Sequence, residues 1–187
     1  MPSNKSVSDA PITQFVNCRI LKDHKLQWED LWVREGKILN PEKLFFDEEG
    51  FADHKVDSED KIIAPGFIDV QINGGYGIDF SQASGDIRGG VALLAKKILE
   101  HGVTSFCPTL VTSPPDIYHK HVFIPSFLIS GTTTLSGSIA TMDMCVRHFR
   151  EASGCTVEAA LEAASLHPAQ LLGISHRKGT LEYGTDA

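Results

Sequence analysis

No stretch of the chain approaches the ~20 consecutive apolar residues that span a bilayer, and its opening residues carry neither a basic start nor a hydrophobic signal core. A cytoplasmic protein with no membrane partner is therefore expected. Basic residues are also scarce: 17 Lys and Arg face 24 Asp and Glu, for a formal charge of -7. That balance argues against nucleic acid, which is bound through basic surfaces. Cys18, Cys107, Cys145 and Cys155 show no CxxC spacing, so neither a zinc site nor a disulfide framework is expected. They read as reduced, mostly buried thiols. What remains is a globular composition, 42% apolar over 187 residues, enough to bury a sizeable core.

The most informative stretch is Pro65-Gly66-Phe67-Ile68-Asp69-Val70-Gln71-Ile72-Asn73-Gly74-Gly75. Side chains alternate along a strand, so Ile68, Val70 and Ile72 share a packing face while Asp69, Gln71 and Asn73 share the other. A polar row beside an apolar row, ending at Gly74-Gly75, suits the inner lining of a β/α barrel near the carboxyl end of a strand.

Before that strand, Val16 to Leu21 and Leu31 to Val33 read as short strands, and Glu35-Gly36 before Lys37-Ile38-Leu39 as a hairpin turn. Phe45 to Asp60 reads as a charged loop or edge region. After it, Ile87, Val91, Leu94, Ala95, Ile98 and Leu99 recur at helical spacing, with Gly102 just past the end. Val103 to Val111 reads as a second buried strand, making a βαβ unit with parallel strands and a right-handed crossover. Farther on, a helix is expected from Ile139 to about Ala152, closed by Gly154. Another follows after Thr156 as its cap, and Pro168 starts a last short turn through Leu172.

Four ordered motifs carry a resemblance. Gln71-Ile72-Asn73 before Gly74-Gly75, Pro108-Thr109-Leu110-Val111-Thr112, Thr134-Leu135-Ser136-Gly137-Ser138 and Leu166-His167-Pro168-Ala169 together resemble the N-acetylglucosamine-6-phosphate deacetylases of the amidohydrolase superfamily. Most of that superfamily shows His-x-His where this chain has Gln71-Ile72-Asn73, which counts against other amidohydrolases such as aminoacylases or dihydroorotases. The resemblance implies removal of acetyl from N-acetylglucosamine 6-phosphate, a divalent metal that activates water, and an aspartate that handles the proton. It also implies an amino sugar phosphate as substrate and a homodimer. As substrate-binding residues it points to Gln71, Asn73, Leu135, Ser136 and Gly137: amides hold a water or sugar substituent without adding charge, and backbone N–H groups before a helix suit an anion or polar sugar.

The resemblance also shows what is missing. Relatives carry the metal on the glutamate of a His-Leu-Glu-Gly-Pro motif and on two later histidines, and the aspartate in a Thr-Asp-Ala segment before the Leu-Ser-Gly loop. None of these lies between His119 and Thr134. A complete β/α barrel needs roughly 250 residues. An internal deletion is therefore expected, of the kind a splice product or a gene-model error gives.

The resulting expectation is an α/β chain: a partial TIM-type (β/α) barrel of first and last β/α units, with a small β-sandwich module. Its parts are a disordered terminus at 1–14, the β-sandwich at 15–61, first β/α units at 62–118, a junction at 119–130, the last barrel loop and helices at 131–175, and a truncated return to the β module at 176–187. This chain would then have no catalytic residue and bind no metal. It would be inactive, and the alternative to an enzyme is an interaction module binding the intact enzyme. Two local imitations are discounted. His119-Lys120-His121 follows Pro114-Pro115 rather than closing a barrel strand, and Thr185-Asp186-Ala187 reads as the turn of the tail. His101, before Gly102, reads as a cation at a helix carboxyl end.

Overall fold

The computed structural model describes residues 8–49, 51–80, 87–109 and 140–187. It divides into two compact units, Met1–Pro65 with Val157–Ala187 and Gly66–Thr156. The first unit begins with strands β1 (Thr13–Val16), β2 (Arg19–Lys22), β3 (Lys25–Trp28), β4 (Leu31–Arg34) and β5 (Lys37–Ile38). Helix α1 (Pro41–Asp47) and strands β6 (His54–Asp57) and β7 (Ile62–Ile63) follow. The strands form two sheets, ordered β5-β4-β1-β6 and β3-β2-β7.

The expected continuous strand over Val16 to Leu21 is instead broken. Asn17 takes a left-handed backbone, φ 53°, and the chain passes there from one sheet to the other. Two hairpins use two-residue turns, Asp23-His24 (φ 51° and 60°) and Glu35-Gly36 (φ 51° and 69°). Positive φ at both central residues matches the right-handed twist of flanking strands. Side chains of both sheets meet in one cluster: Leu31, Ile38 and Phe15 from one, Ile20 and Ile63 from the other, with Cys18 and Leu181.

Phe45 to Asp60 is more regular than expected. Asn40 caps α1, its Oδ1 accepting from the backbone N–H of Glu42 at 2.9 Å and of Lys43 at 3.3 Å. Pro41 then stands where its missing N–H costs nothing. The helix buries Leu44. β6 is an exposed edge strand pairing parallel to β1. Asn40→Ala leaves both N–H groups without that acceptor, and a loss of about 1 kcal/mol is expected in urea unfolding.

The remainder of this unit is α4 (Val157–Ala164), α5 (Leu166–Leu171) and the tail. α5 starts two residues before Pro168, which is tolerated because a first-turn residue needs no backbone donor. The fully buried Ser165 Oγ between the helices donates to Leu161 O at 2.8 Å. The tail runs along β5: Ile38 N–H donates to Thr185 O at 3.0 Å, Gly184 N–H to Ile38 O at 2.7 Å, and Ala187 N–H to Gly36 O at 2.8 Å.

The second unit contains β8 (Phe67–Ile72), the small strands β9 (Gly74–Gly75) and β10 (Ile78–Asp79), helix α2 (Ile87–Ile98), β11 (Val103–Pro108) and helix α3 (Met142–Ser153). β8 and β11 pair in parallel, as expected for strands joined through a helix. A one-turn 3-10 segment, Leu99–His101, ends α2 at Gly102. Gly102 has φ 78°, and a Cβ there would stand 3.0 Å from the Phe67 ring. Phe80, Leu94, Ile98 and Val103 form the buried core, with Phe67, Ile72, Ile78, Phe106 and Met142 against it. Leu99, expected on the helix's packing face, is exposed, because the helix tightens to 3-10 geometry at that residue and the face rotates.

Helix α3 starts later than the expected Ile139, which lies outside the described residues; Gly154 closes it with φ 68°. Of the cysteines only Cys18 is buried; Cys107 and Cys155 are half-buried and Cys145 is exposed. The expectation of mostly buried thiols is corrected here. Cys145 lies on α3, a helix that sets Met142 against the core but has no fully buried residue, and Cys145 is on its exposed part.

Candidate functional site

The candidate site is the carboxyl end of β8. Gly66 permits the strand to approach β11 closely, since a Cβ there would stand 2.1 Å from the Thr104 hydroxyl. Side-chain alternation then sends Asp69, Gln71 and Asn73 to one face. Asp69 is half-buried, while Gln71 and Asn73 are exposed. Asp69 Oδ1 accepts from the backbone N–H of Gln71 at 2.9 Å. Past the strand, Asn73 O accepts from Phe80 N–H at 3.0 Å.

The apolar face departs from the expected packing. Ile68 is 3% exposed but Val70 is 40% exposed, and Ile72 is half-buried. Among the described residues β8 has a single strand partner, β11. A barrel strand is flanked on both edges and covered on both faces, and Val70 lacks that cover.

Asn73 gains a partner from the second motif, Thr109, which is not among the expected substrate-binding residues. Thr109 Oγ1 donates to Asn73 Oδ1 at 2.6 Å, and Thr109 N–H donates to Ile72 O at 2.9 Å. Thr109 follows β11 directly, so the carboxyl ends of both parallel strands meet at this amide–hydroxyl pair. Its signal in the sequence was its place at the end of the second strand, in Pro108-Thr109-Leu110. Of the expected substrate-binding residues, Gln71 lies on β8 and Asn73 just past its end. Leu135, Ser136 and Gly137 lie outside the described residues, as does His119-Lys120-His121.

Burial pushes the Asp69 carboxyl above its ordinary value, partly offset by the Gln71 N–H. A raised folded-state value means that the protonated form folds more favourably, so this contribution is full in acid and lost as pH rises through the folded value. Asp69→Asn keeps an acceptor for Gln71 and removes the buried charge. It is expected to raise the melting temperature at about pH 7, with the gain fading towards about pH 3. Equal gain at both pH values would contradict this.

A divalent metal does not fit these donors. Gln71, Asn73 and Thr109 offer neutral oxygens only, and the nearby carboxylate, Asp69, is half-buried with one oxygen engaged. Catalytic metal sites are built from imidazole, thiolate or carboxylate ligands. Among the described residues no group of three or more His, Cys, Asp or Glu is placed to hold a metal.

The remaining sequence candidates lie elsewhere. Asp186 is held far below the usual carboxylate range, chiefly by Lys37 at 2.5 Å, then by Lys178 at 3.3 Å and Arg177 at 3.0 Å. It fastens the tail to β5 electrostatically and is in no position to act as a proton carrier. His167 lies within the first turn of α5. His24 pairs with Glu162 at 2.8 Å, on the wall of an open groove of about 480 Å³ in the first unit that Lys22, His176 and Tyr183 also line.

Comparison with known proteins adds the frame for this geometry. The profile described as "Amidohydrolase family" matches residues 126–187. A zebrafish (Danio rerio) N-acetylglucosamine-6-phosphate deacetylase is 45% identical over 380 residues, spanning 100% of this chain and 94% of the relative. The human (Homo sapiens) protein of that name is 32% identical over 380 residues, 100% of this chain and 93% of its own. The crystal structure of the Pasteurella multocida deacetylase matches 58% of this chain and 28% of its own at 27% identity, with a TM-score of 0.47. A match of 380 positions against a chain of 187 residues leaves at least 193 positions (380 less 187) with no residue of this chain opposite them. The match takes in the whole chain, so those positions fall between matched ones. With relatives 45% and 32% identical matched over the whole chain, the chain belongs to the N-acetylglucosamine-6-phosphate deacetylase family, of which it is a partial-length form.

Proposed function

We propose that this chain keeps the substrate-facing wall of a deacetylase without its metal centre and therefore does not hydrolyse N-acetylglucosamine 6-phosphate. The observation that carries this reading is the donor set at the end of β8: Gln71, Asn73 and Thr109 offer neutral hydrogen-bonding groups to a sugar and none of the anionic or imidazole ligands a divalent metal needs. The at least 193 positions without a counterpart in this chain support it, since room for those ligands and for a proton-carrying aspartate lies there. Leu135, Ser136 and Gly137 complete the substrate wall in this reading. Acetate release in the presence of added metal is the deciding measurement, and metal-dependent turnover would overturn the proposal.

The architecture that goes with it is a partial barrel of the first and last β/α units, joined within 119–130, beside a β-sandwich module. The shared cluster of side chains from both sheets supports the sandwich, and the exposed Val70 supports the opened barrel. Such a chain presents unpaired strand edges and uncovered apolar side chains, which favour association. We expect poor solubility when it is expressed alone, and recovery when it is co-expressed with an intact family enzyme, with which it would associate in the cytoplasm. Sizing chromatography reads the difference. A soluble monomer with a sharp melt would count against the opened barrel.

A further inference from the structure

Tyr76, His101 and Asp143 converge from three elements of the second unit. The Tyr76 hydroxyl and His101 Nε2 are 2.8 Å apart, and Nδ1 of the same ring lies 3.2 Å from Asp143 Oδ1. Asp143 is itself fixed: its Oδ1 accepts from Thr141 Oγ1 at 2.6 Å, and its Oδ2 faces Arg147 at 2.5 Å. Those two partners, Thr141 first, hold its carboxyl down at about 2. An ionised carboxylate beside Nδ1 favours the ring proton there, which turns the lone pair of Nε2 towards the Tyr76 hydroxyl.

The tyrosine is presented outward. It sits in the turn between β9 and β10 with a left-handed backbone, φ 53°, a conformation uncommon for a bulky residue. The residue is 49% exposed, and Lys97 Nζ stands 6.0 Å from its ring centroid. A nucleophile within hydrogen-bond reach of a base, and that base oriented by a third group, is the arrangement of covalent catalysis. A structural pin between α2 and α3 would use the same His101–Asp143 pair, but it gives no reason for a half-exposed tyrosine at a left-handed turn to bond the far nitrogen of that ring.

We propose that Tyr76, His101 and Asp143 form a nucleophilic relay whose Tyr76 hydroxyl accepts acyl groups from small activated esters. Tyr76 Oη attacks the ester carbonyl as its proton passes to His101 Nε2. The new Oη–acyl bond forms, the bond from the acyl carbon to the leaving oxygen breaks, and the leaving alkoxide or phenolate takes the proton from Nε2. Asp143 keeps its charge throughout and steadies the imidazolium. Water then hydrolyses the acyl-tyrosine, releasing the carboxylic acid and restoring the hydroxyl.

The test treats the full chain with p-nitrophenyl acetate, follows nitrophenolate release and locates the acetyl group by mass spectrometry of peptides. Acetylation is expected at Tyr76 in preference to Tyr118 and Tyr183, with a rate that falls in acid, as general-base catalysis requires. His101→Gln should slow it by about 100-fold, Asp143→Asn by less, and Tyr76→Phe should abolish it. Even labelling of the three tyrosines, or a rate indifferent to both pH and His101, would overturn the relay. Should a variant fail to fold, the site selectivity and pH profile of the unaltered chain decide the matter alone.

Discussion

Purified chain given N-acetylglucosamine 6-phosphate and a divalent metal should form glucosamine 6-phosphate no faster than buffer does. Enzymes of ordinary competence exceed the uncatalysed rate by about 10⁶-fold or more, so the expected loss is total rather than partial. The reason lies in the groups at the carboxyl end of β8. Gln71 and Asn73 are amides and Thr109 is a hydroxyl; none lowers the pKa of a bound water as a metal held by anionic ligands would. Asp69 could serve as a base only if ionised and accessible, yet its burial opposes ionisation and one of its oxygens is engaged by Gln71 N–H. Even ordinary general-base help from a single side chain contributes only about 10²–10⁴-fold, far from what hydrolysis of an unactivated amide requires. A coupled assay for glucosamine 6-phosphate, with several divalent metals supplied in turn, makes the measurement.

Much of this was legible in the sequence where one local rule decided the outcome. The α2 spacing of Val91, Leu94 and Ile98 ends at Gly102, where the backbone is left-handed, and the parallel pairing of β8 with β11 follows from a strand, a helix and a strand in series. Glu35-Gly36 signalled its hairpin for the same reason. Misreadings arose where neighbours decide. Val70 reads as a packing residue from alternation alone, but alternation assigns a face and cannot supply the layer that covers it. α1 was hidden because the charged run after Phe45 outweighed the cap Asn40-Pro41 that starts the helix. Thr109 was hidden because its role depends on parallel strands ending side by side, a relation between residues 36 positions apart. The relay of Tyr76 with His101 and Asp143 was invisible for the same reason: each residue alone has an ordinary local explanation.

Leu94→Ala should remove about 2–5 kcal/mol of stability, while Leu93→Ala, one residue away on the same helix, should stay within about 0.5 kcal/mol. Both substitutions delete the same atoms and share the same helix propensity change, so the difference isolates burial. Leu94 is 0% exposed and Leu93 48% exposed. Leu94 packs in the cluster with Phe80, Ile98 and Val103, and the backbone at Gly75 comes so near that a Cβ there would stand 3.1 Å from Leu94 Cδ1. Truncation therefore opens a cavity between α2 and the small strand that precedes the tyrosine turn. Collapse of that hairpin to fill the gap would lower the cost but displace Tyr76 from His101. The two outcomes separate by experiment: urea unfolding reads the stability loss, and acetylation of Tyr76 reads whether the hairpin stayed in place. Equal losses for Leu93→Ala and Leu94→Ala would mean that the helix does not bury the face assigned to it, and the core of the second unit would have to be redrawn.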